Sequence, residues 1–351
     1  MKYKLAIIGY GMMGNWHHDN IISRIPDIIV VGAFDINEDM MGKIKEKGIF
    51  CYETATMLID DPKVDIVLIA TPNDSHKDYC IQALRAKKAV VCEKPVTMNS
   101  EELEEIIFVA NETKQVFSIH HNRRWDKDFR IVKTILEEGS IGKPYFIESR
   151  IQGSRKAIHG WRKYKDNGGG MVLDWGVHLL DQMLWMIDSA VVQVHSHLLS
   201  IFTPNVEDNV KIFLRFENGI SALLEMTTLS LVPGPHWYIL CENGTVVVHG
   251  WEGNGKIVKF KTENDLQWDD DGVYTGSGPT RLMAPRPMHT INEHPLPDVT
   301  SSWEDYYLNI LDALNGRAEL IITPQQILRV MKVVDAVFKS DKNNASVNCN
   351  I

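Results

Sequence analysis

Lys4-Leu5-Ala6-Ile7-Ile8-Gly9-Tyr10-Gly11-Met12-Met13-Gly14 lies near the start of the chain and decides how the first third is read. Lys4 to Ile8 is a short, mostly apolar run that reads as a buried strand. Asn15 to Arg24 reads as a helix. Strand, G-x-G-x-x-G, helix is the context in which this glycine pattern has a mechanism. The first glycine permits a tight turn, the second lets a pyrophosphate approach the backbone, and the third lets helix and strand pack closely. The diphosphate would then lie on the free N–H groups at the helix start. A second apolar run, Ile28 to Phe34, ends at Asp35, about 20 residues beyond the glycines, where a carboxylate accepts from an adenosine ribose. A glycine turn in a parallel sheet without a ligand is the plain alternative.

Working outward, 351 residues exceed the usual size of one hydrophobic core, so two domains are expected. The formal net charge of -9, without a long single-sign run, argues against nucleic-acid or membrane partners. The first strand leaves no room for a signal peptide, and no apolar run approaches a membrane span. Five scattered cysteines without a C-x-x-C pair fit reduced thiols and a cytoplasmic location. His17-His18 and His120-His121 lack zinc-ligand spacing, so they read as surface or cleft structure and no metal is expected.

Strand and helix alternate through the first third. Val64–Ala70 reads as a strand, Asp74 as the cap of a helix to about Ala86, Lys88–Cys92 as a strand, and Ser100–Thr113 as a helix capped by Ser100. Val116–His120 closes the series. The alternation implies a doubly wound parallel sheet of Rossmann type. After a helix near Asp128–Glu138, strands predominate: Tyr145–Gln152, Val191–Leu199, Asn209–Phe216, Ile220–Thr228, Trp237–Leu240, Thr245–His249 and Ile257–Lys261. Asn218-Gly219 and Asn243-Gly244 are hairpin signals. The expected second unit is an α+β domain with a large, mostly antiparallel open sheet. Asn264 to Val299 reads as a long loop, and the helices Trp303–Asn315 and Pro324–Lys339 end the chain. The expected division is 1–122 for dinucleotide binding, 123–322 for substrate binding and oligomerisation, and 323–351 as a helix and tail returning toward the first domain. A homodimer or homotetramer through the open sheet is expected, with Leu214, Phe216, Leu223 and Met226 as apolar candidates.

Ligands of doubly wound sheets bind outside the carboxyl ends of the strands. Ala70-Thr71-Pro72-Asn73 and Cys92-Glu93-Lys94-Pro95 are loops placed there. Lys94 can donate to a substrate oxygen or be an ordinary solvated lysine, and its bond to Pro95 admits a cis peptide. A second cluster is Gly168-Gly169-Gly170 followed by Asp174, His178 and Asp181 on one helical face. A carboxylate one turn from an imidazole suits proton transfer near neutral pH, and Asp174 is expected to move the His178 ionisation upward. A satisfied structural Asp–His pair is the alternative.

Gly9–Gly14, Glu93-Lys94-Pro95 and the triglycine with Asp174 and His178 together resemble the Gfo/Idh/MocA oxidoreductase family, across essentially the whole chain. Asn122-Arg123-Arg124-Trp125 is similar to its inositol and sugar dehydrogenase-like members. The resemblance implies NAD(P) bound at the Rossmann domain and a catalytic set of Lys94, Asp174 and His178. It implies cofactor contacts from Gly9, Gly11, Met12, Met13, Gly14, Asp35, Ala70, Thr71, Asn73, His76, Glu93, Lys94, Trp161 and Arg162. Substrate contacts would come from Lys94, Asn122, Arg123, Asp174 and His178. Arg123, Arg124 and Arg162 can equally be interdomain ion-pair residues. The expected activity is NAD-dependent hydride transfer at a CH–OH group of a sugar, inositol or related polyol. NAD is favoured over NADP because Asp35 would repel a 2′-phosphate and neither Ile36 nor Asn37 offers it a cation. An NAD-retaining glycosidase and a non-catalytic NAD-sensing regulator are the other functions that the same fold carries.

Overall fold

The computed structural model describes residues 2–261, 273–280 and 286–351. Six strands form the first sheet: β1 (Tyr3–Ile8), β2 (Ile28–Phe34), β3 (Phe50–Cys51), β4 (Ile66–Ile69), β5 (Ala89–Cys92) and β6 (Phe117–Ile119). All pairs are parallel, in the order β3-β2-β1-β4-β5-β6. The central strands are buried on both faces, which is why they read as unbroken apolar runs and not as alternation. Helices α1 (Met12–Trp16), α2 (Glu38–Glu46), α3 (Ala55–Asp60), α4 (His76–Arg85) and α5 (Ser100–Thr113) connect them.

The third glycine does what the motif requires. A Cβ on Gly14 would lie 2.0 Å from the Gly9 carbonyl oxygen, so helix and strand meet at backbone distance. Three local readings are corrected. The first helix begins at Met12 and not at Asn15; after Trp16 it widens into a π turn over His17–Ile21 and tightens over Ile22–Arg24. The widened turn carries His17 into the interior. Asn99, not Ser100, caps α5, its side chain accepting from the Glu102 N–H; asparagine and serine cap equally well, and the amide is one residue nearer the turn. Asp74 caps nothing; it lies in a short 3₁₀ turn, Asn73–Ser75, ahead of α4.

Helix α6 (Lys127–Glu138) leads into the second sheet of β7 (Pro144–Gln152), β8 (Val191–Leu199), β9 (Asn209–Phe216), β10 (Ser221–Thr227), β11 (Trp237–Cys241), β12 (Gly244–His249) and β13 (Asn254–Phe260). Both hairpin signals sit at hairpins, joining β9 to β10 and β11 to β12. Of the expected loop Asn264–Val299, residues 264–272 and 281–285 lie outside the described residues. The rest is not simply loop: β14 (Val273–Thr275) pairs with β15 (Gly278–Thr280), and β16 (Ile291–His294) extends the large sheet beside β13. Ile291-Asn292-Glu293-His294 holds one apolar residue, so an exposed edge strand left no alternation to read.

Helices α7 (Val177–Met186), α8 (Glu304–Leu314) and α9 (Pro324–Asn343) complete the chain, with β17 (Val347–Asn348). The nine-stranded order is β16-β13-β12-β11-β7-β10-β9-β8-β17, antiparallel except for the β7–β10 pair. Helix α9 packs between α5 of the first domain and β8 of the second. The tail beyond it pairs with β8 and so joins the second sheet instead of returning to the first. Among the described residues no helix is long and apolar enough to cross a membrane.

Register sorts the sheet faces. Leu214, Phe216 and Met226 lie on the face covered by helices and are buried, so they are core residues and not interface candidates. Leu223 lies on the opposite face, in one row with Phe213, Glu148, Tyr238 and Val247. Leu214→Ala should therefore destabilise the fold by about 2–5 kcal/mol, the usual range for a buried leucine. Leu223→Ala should cost clearly less in the same denaturant titration, and equal losses would show that the face assignment is wrong.

Candidate functional site

A cleft of about 620 Å³ opens at the carboxyl ends of the first sheet's strands. Gly9, Gly11, Met12 and Met13 line it from the β1–α1 turn, Asp35 from the end of β2, Ala70, Thr71 and Asn73 from the end of β4, and Glu93 and Lys94 from the end of β5. Trp161 and Arg162 enter from the second domain. The lining also includes Pro72, within the loop already singled out, and Phe34, Ile36, Asp74, Ser75, Tyr79 and Asn167, which the sequence reading did not select as site residues. Phe34 and Ile36 flank Asp35 and Tyr79 lies one turn beyond His76, so those three were within reach; Asn167 had no signal.

The residues fit a dinucleotide. The added Cβ of Gly11 would meet nothing within 4 Å, so open space faces the turn where a diphosphate would approach. Helix α1 starts there without a side-chain cap. Asp35 accepts from the Tyr10 N–H at 2.7 Å and the Asn37 N–H at 2.8 Å, which fixes its carboxylate at the cleft wall. Gly14 and His76 do not line the cleft. Gly14 serves packing, and the buried His76 ring lies between the Thr71 and Pro95 carbonyls, each 2.9 Å away, so it holds two lining loops together.

The Lys94–Pro95 bond is cis. Lys94 Nζ donates to the Asp174 carbonyl at 2.8 Å and to its Oδ1 at 2.9 Å, and Arg162 Nε donates to the same Oδ1 at 3.0 Å. Asp174 stands on a π turn, Val172–Gly176, that precedes α7. Burial works against its charge, but Lys94 and Arg162 outweigh it and hold the carboxyl below the usual range. The triglycine is needed for this approach: a Cβ on Gly169 would fall 2.1 Å from the Arg162 carbonyl oxygen, and one on Gly170 2.3 Å from Glu207 Oε1.

The expected Asp174–His178 pair does not form. Asp174 is engaged by the two cations, and His178 is buried with Nδ1 unpartnered among the described residues. Its ionisation moves the opposite way from the expectation: burial first, then Lys94, Arg123 and the neighbouring histidines, push it well below the ordinary histidine value. Asp181 is taken up by Arg124, which donates through Nε at 2.8 Å and Nη2 at 2.6 Å. Arg123 packs against the Trp175 and Trp251 rings, 4.2 and 4.6 Å from their centroids, where the two rings themselves meet at 5.7 Å, and is paired with Asp126 at 2.7 Å. Trp251 carried no sequence signal. Asn122 sits in a 3₁₀ turn, Asn122–Trp125, beside these groups.

The histidine pairs are mostly not surface features. His17, His120 and His121 are buried. His17 Nε2 and His120 Nδ1 each lie 2.8 Å from Glu93 Oε1, and Tyr307 Oη lies 2.9 Å from His17 Nδ1. Ligand-type atoms of His17, Glu93 and His120 all fall within 4.8 Å of one another, and their 2.8 Å spacings are those of hydrogen bonds to one shared oxygen. Burial opposes the Glu93 charge, and the two imidazoles overcome it, keeping the carboxyl well below its ordinary value. Two further bonds cross the cleft: Asn73 Nδ2 to the Gly168 carbonyl at 3.0 Å and Asn167 Nδ2 to Asp74 at 3.2 Å.

Two family models match the chain. "Oxidoreductase family, NAD-binding Rossmann fold" covers residues 3–121, and "GFO/IDH/MocA C-terminal domain" covers residues 129–247. A crystal structure described as an NAD-binding protein from Listeria innocua is 41% identical, with a TM-score of 0.95 over 99% of both chains. The uncharacterized oxidoreductase YdgJ of Escherichia coli (strain K12) is 27% identical over 98% of both chains. The scyllo-inositol 2-dehydrogenase (NADP(+)) IolW of Bacillus subtilis (strain 168) is 24% identical, over 98% of this chain and 95% of its own length.

The buried imidazoles predict acid lability. His17 and His121 are both pushed down to about 4, burial being the main cause. In the unfolded chain they titrate near the ordinary value of about 6.5. Between those values the unfolded state binds more protons, so their contribution is complete above about pH 6.5 and is lost as pH falls toward 4. Each group is worth about 3 kcal/mol over that window. The melting temperature should be level from pH 7 to 8 and fall steeply between pH 6.5 and 4, less steeply in His17→Gln. A melting temperature constant from pH 7 to 4 would contradict this account.

Proposed function

The chain belongs to the Gfo/Idh/MocA oxidoreductase family, with its NAD-binding Rossmann domain, and on that premise we propose that it is a dehydrogenase acting on a secondary alcohol of an inositol, sugar or related polyol. The reading is carried by one observation: Lys94, Asp174 and Arg162 converge at the end of the dinucleotide cleft where the second domain closes it. The similarity to IolW, a scyllo-inositol 2-dehydrogenase, favours a polyol. A bound nicotinamide would supply the hydride acceptor or donor, and the chain supplies position and charge.

Lys94 has three N–H donors, and Asp174 takes two of them. The third is left for the reacting oxygen, where the cation polarises a carbonyl or stabilises a developing alkoxide. Asp174 fixes that ammonium and Arg162 together, so the lysine is oriented before substrate arrives. His178 is neutral at physiological pH, so it meets the same oxygen as an uncharged hydrogen-bonding and proton-exchanging group. Arg123, packed against two tryptophans and paired with Asp126, is a rigid donor for substrate hydroxyls. The five cysteines are all free, which suits a cytoplasmic enzyme.

We further infer NAD over NADP, because the anchored Asp35 carboxylate accepts ribose hydroxyls and repels a 2′-phosphate. Calorimetry should show tighter binding of NADH than NADPH, and Asp35→Ser should narrow the difference. Tighter NADPH binding by the parent would overturn the preference. The half-exposed row Phe213, Leu223, Tyr238 and Val247 supports a homodimer or homotetramer through the open sheet face. A monomeric mass in light scattering at micromolar concentration would remove that inference.

A screen of polyols and aldoses with NAD and NADP, read at the reduced-cofactor absorbance, tests the activity. On the substrate so found, Lys94→Ala and His178→Ala should each lose about 10²–10⁴ in turnover while binding NADH nearly as well as the parent. Near-parental turnover in either variant removes that residue from the catalytic set.

A further inference from the structure

Lys94 follows a buried carboxylate, yet its ammonium reaches past that neighbour to Asp174 in the second domain. Glu93 is buried and lies in the wall of the same cleft. A buried anion beside a lysine ordinarily takes the ammonium as its partner, because an unpaired buried charge is costly. Here the partners are others. Among the described residues Glu93 Oε1 lies 2.8 Å from His17 Nε2 and 2.8 Å from His120 Nδ1, and Oε2 accepts from the Lys94 backbone N–H at 3.1 Å.

The direction of each bond follows from the charge. An ionised carboxylate only accepts, and Glu93 is held well below its ordinary value. So His17 donates through Nε2 and His120 through Nδ1. His17, pushed down to about 4, is neutral at physiological pH and has one N–H to give. Its Nδ1 is then bare and accepts from Tyr307 Oη, 2.9 Å away, burial keeping that phenol protonated. The two imidazoles come from the π turn after α1 and from the end of β6, and their centroids lie 4.3 Å apart. The other titratable groups facing the carboxylate are His76, Cys92, Tyr306 and Tyr307. Of these, His76 is committed to two carbonyls and Tyr307 to His17.

We propose that His17 and His120 are positioning residues for Lys94: by filling one oxygen of Glu93 they hold that carboxylate away from the ammonium, which leaves the lysine to Asp174 and to the reacting oxygen. This rests on the dehydrogenase reading above. Stripped of an imidazole donor, a buried Glu93 has two ways to relieve its charge. It takes a proton, or it takes the Lys94 ammonium from Asp174. The first removes the anion beside the lysine, and the second turns the ammonium away from the reacting oxygen. Neither His17 nor His120 touches substrate in this account; both act through Glu93.

The two donors sit on different ring positions, and amide side chains copy them separately. An asparagine amide nitrogen stands where Nδ1 stands, and a glutamine amide nitrogen where Nε2 stands. His17→Gln and His120→Asn therefore keep an N–H on Glu93, whereas the exchanged variants His17→Asn and His120→Gln do not. A role in packing alone would not produce that crossed pattern. In the full-length protein saturated with NADH and isotopically labelled at glutamate carboxyls, the Glu93 resonance, identified by its loss in Glu93→Gln, reports the ionisation without any substrate. It should stay low in the parent and the matched pair, and rise by about one to two pH units in the exchanged pair. The Lys94 ammonium resonance should be parental in the matched pair and displaced in the exchanged pair. Equal behaviour of the two pairs overturns the proposal, and if one exchanged variant does not fold the other position decides. On a polyol identified by the screen, the exchanged pair should lose about tenfold or more in kcat with NADH affinity retained, and the matched pair should recover most of it. Parental kcat in the exchanged pair overturns the positioning role. Failure of every polyol to react would refute the dehydrogenase reading, and the carboxyl and ammonium resonances would still decide whether the imidazoles hold Glu93 off Lys94.

Discussion

One carboxylate, Asp174, holds the site together. It takes an ammonium from the end of β5 and a guanidinium from the segment after β7, so two domains meet on a single carboxylate oxygen, Oδ1. Two cations sharing one anion would repel each other without it, and a lysine so placed would snorkel into solvent, the usual fate of its type. The surrounding backbone is shaped to permit this convergence. The triglycine brings Arg162 and Glu207 to distances no side chain would allow, and the π turn of Val172–Gly176 presents Asp174 off the regular helical face. A π turn inside an α-helix is uncommon and recurs at functional sites; here there are two among the described residues, and each delivers a polar residue to the same region.

The second constraint is that the site's imidazoles are dry. Lys94 and Arg123 already supply positive charge beside His178, so a further imidazolium there is unfavourable and the ring stays neutral. On the other side of Lys94, Glu93 is the opposite case, a buried anion kept ionised by two histidine donors and by the Lys94 N–H at 3.1 Å. Charge thus alternates through the loop: anion at Glu93, cation at Lys94, anion at Asp174, cation at Arg162. Such an arrangement keeps each charge compensated in a region that water reaches poorly.

Much of the fold was legible in the sequence. Buried parallel strands reveal themselves as apolar runs, and Val191–Leu199 and Asn209–Phe216 were bounded correctly because apolar alternation runs through them and Asn218-Gly219 closes the second. The cleft-lining glycines, Asp35 and Lys94 were legible because a motif fixes both their spacing and their strand context. What failed was information not carried by period or spacing. The edge strand β16 has too few apolar residues to show a pattern. The i, i+4 spacing of Asp174 and His178 suggested a pair, but a π turn changes which side chains meet, and two distant cations competed for the carboxylate. His121 and Trp251 come from far along the chain, and only tertiary packing brings them to Lys94 and Arg123.

The cofactor end of the cleft shows why that part was the readable one. Asp35 has both oxygens hydrogen-bonded to backbone N–H groups, Gly9 holds a left-handed turn at φ +88°, and Gly14 lies against Gly9. Each of these is a short-range demand on a particular residue type, so each leaves a mark in sequence. A ligand arriving there finds its partners already fixed and loses little conformational entropy in them. The substrate end is assembled differently. Arg123 depends on Trp175 and Trp251, and Lys94 on Asp174, contacts made across domains and long stretches of chain. Such contacts can be exchanged one by one without disturbing the sheet or the glycine turn. The recognition of the dinucleotide is therefore written locally, and the choice of substrate is written in packing.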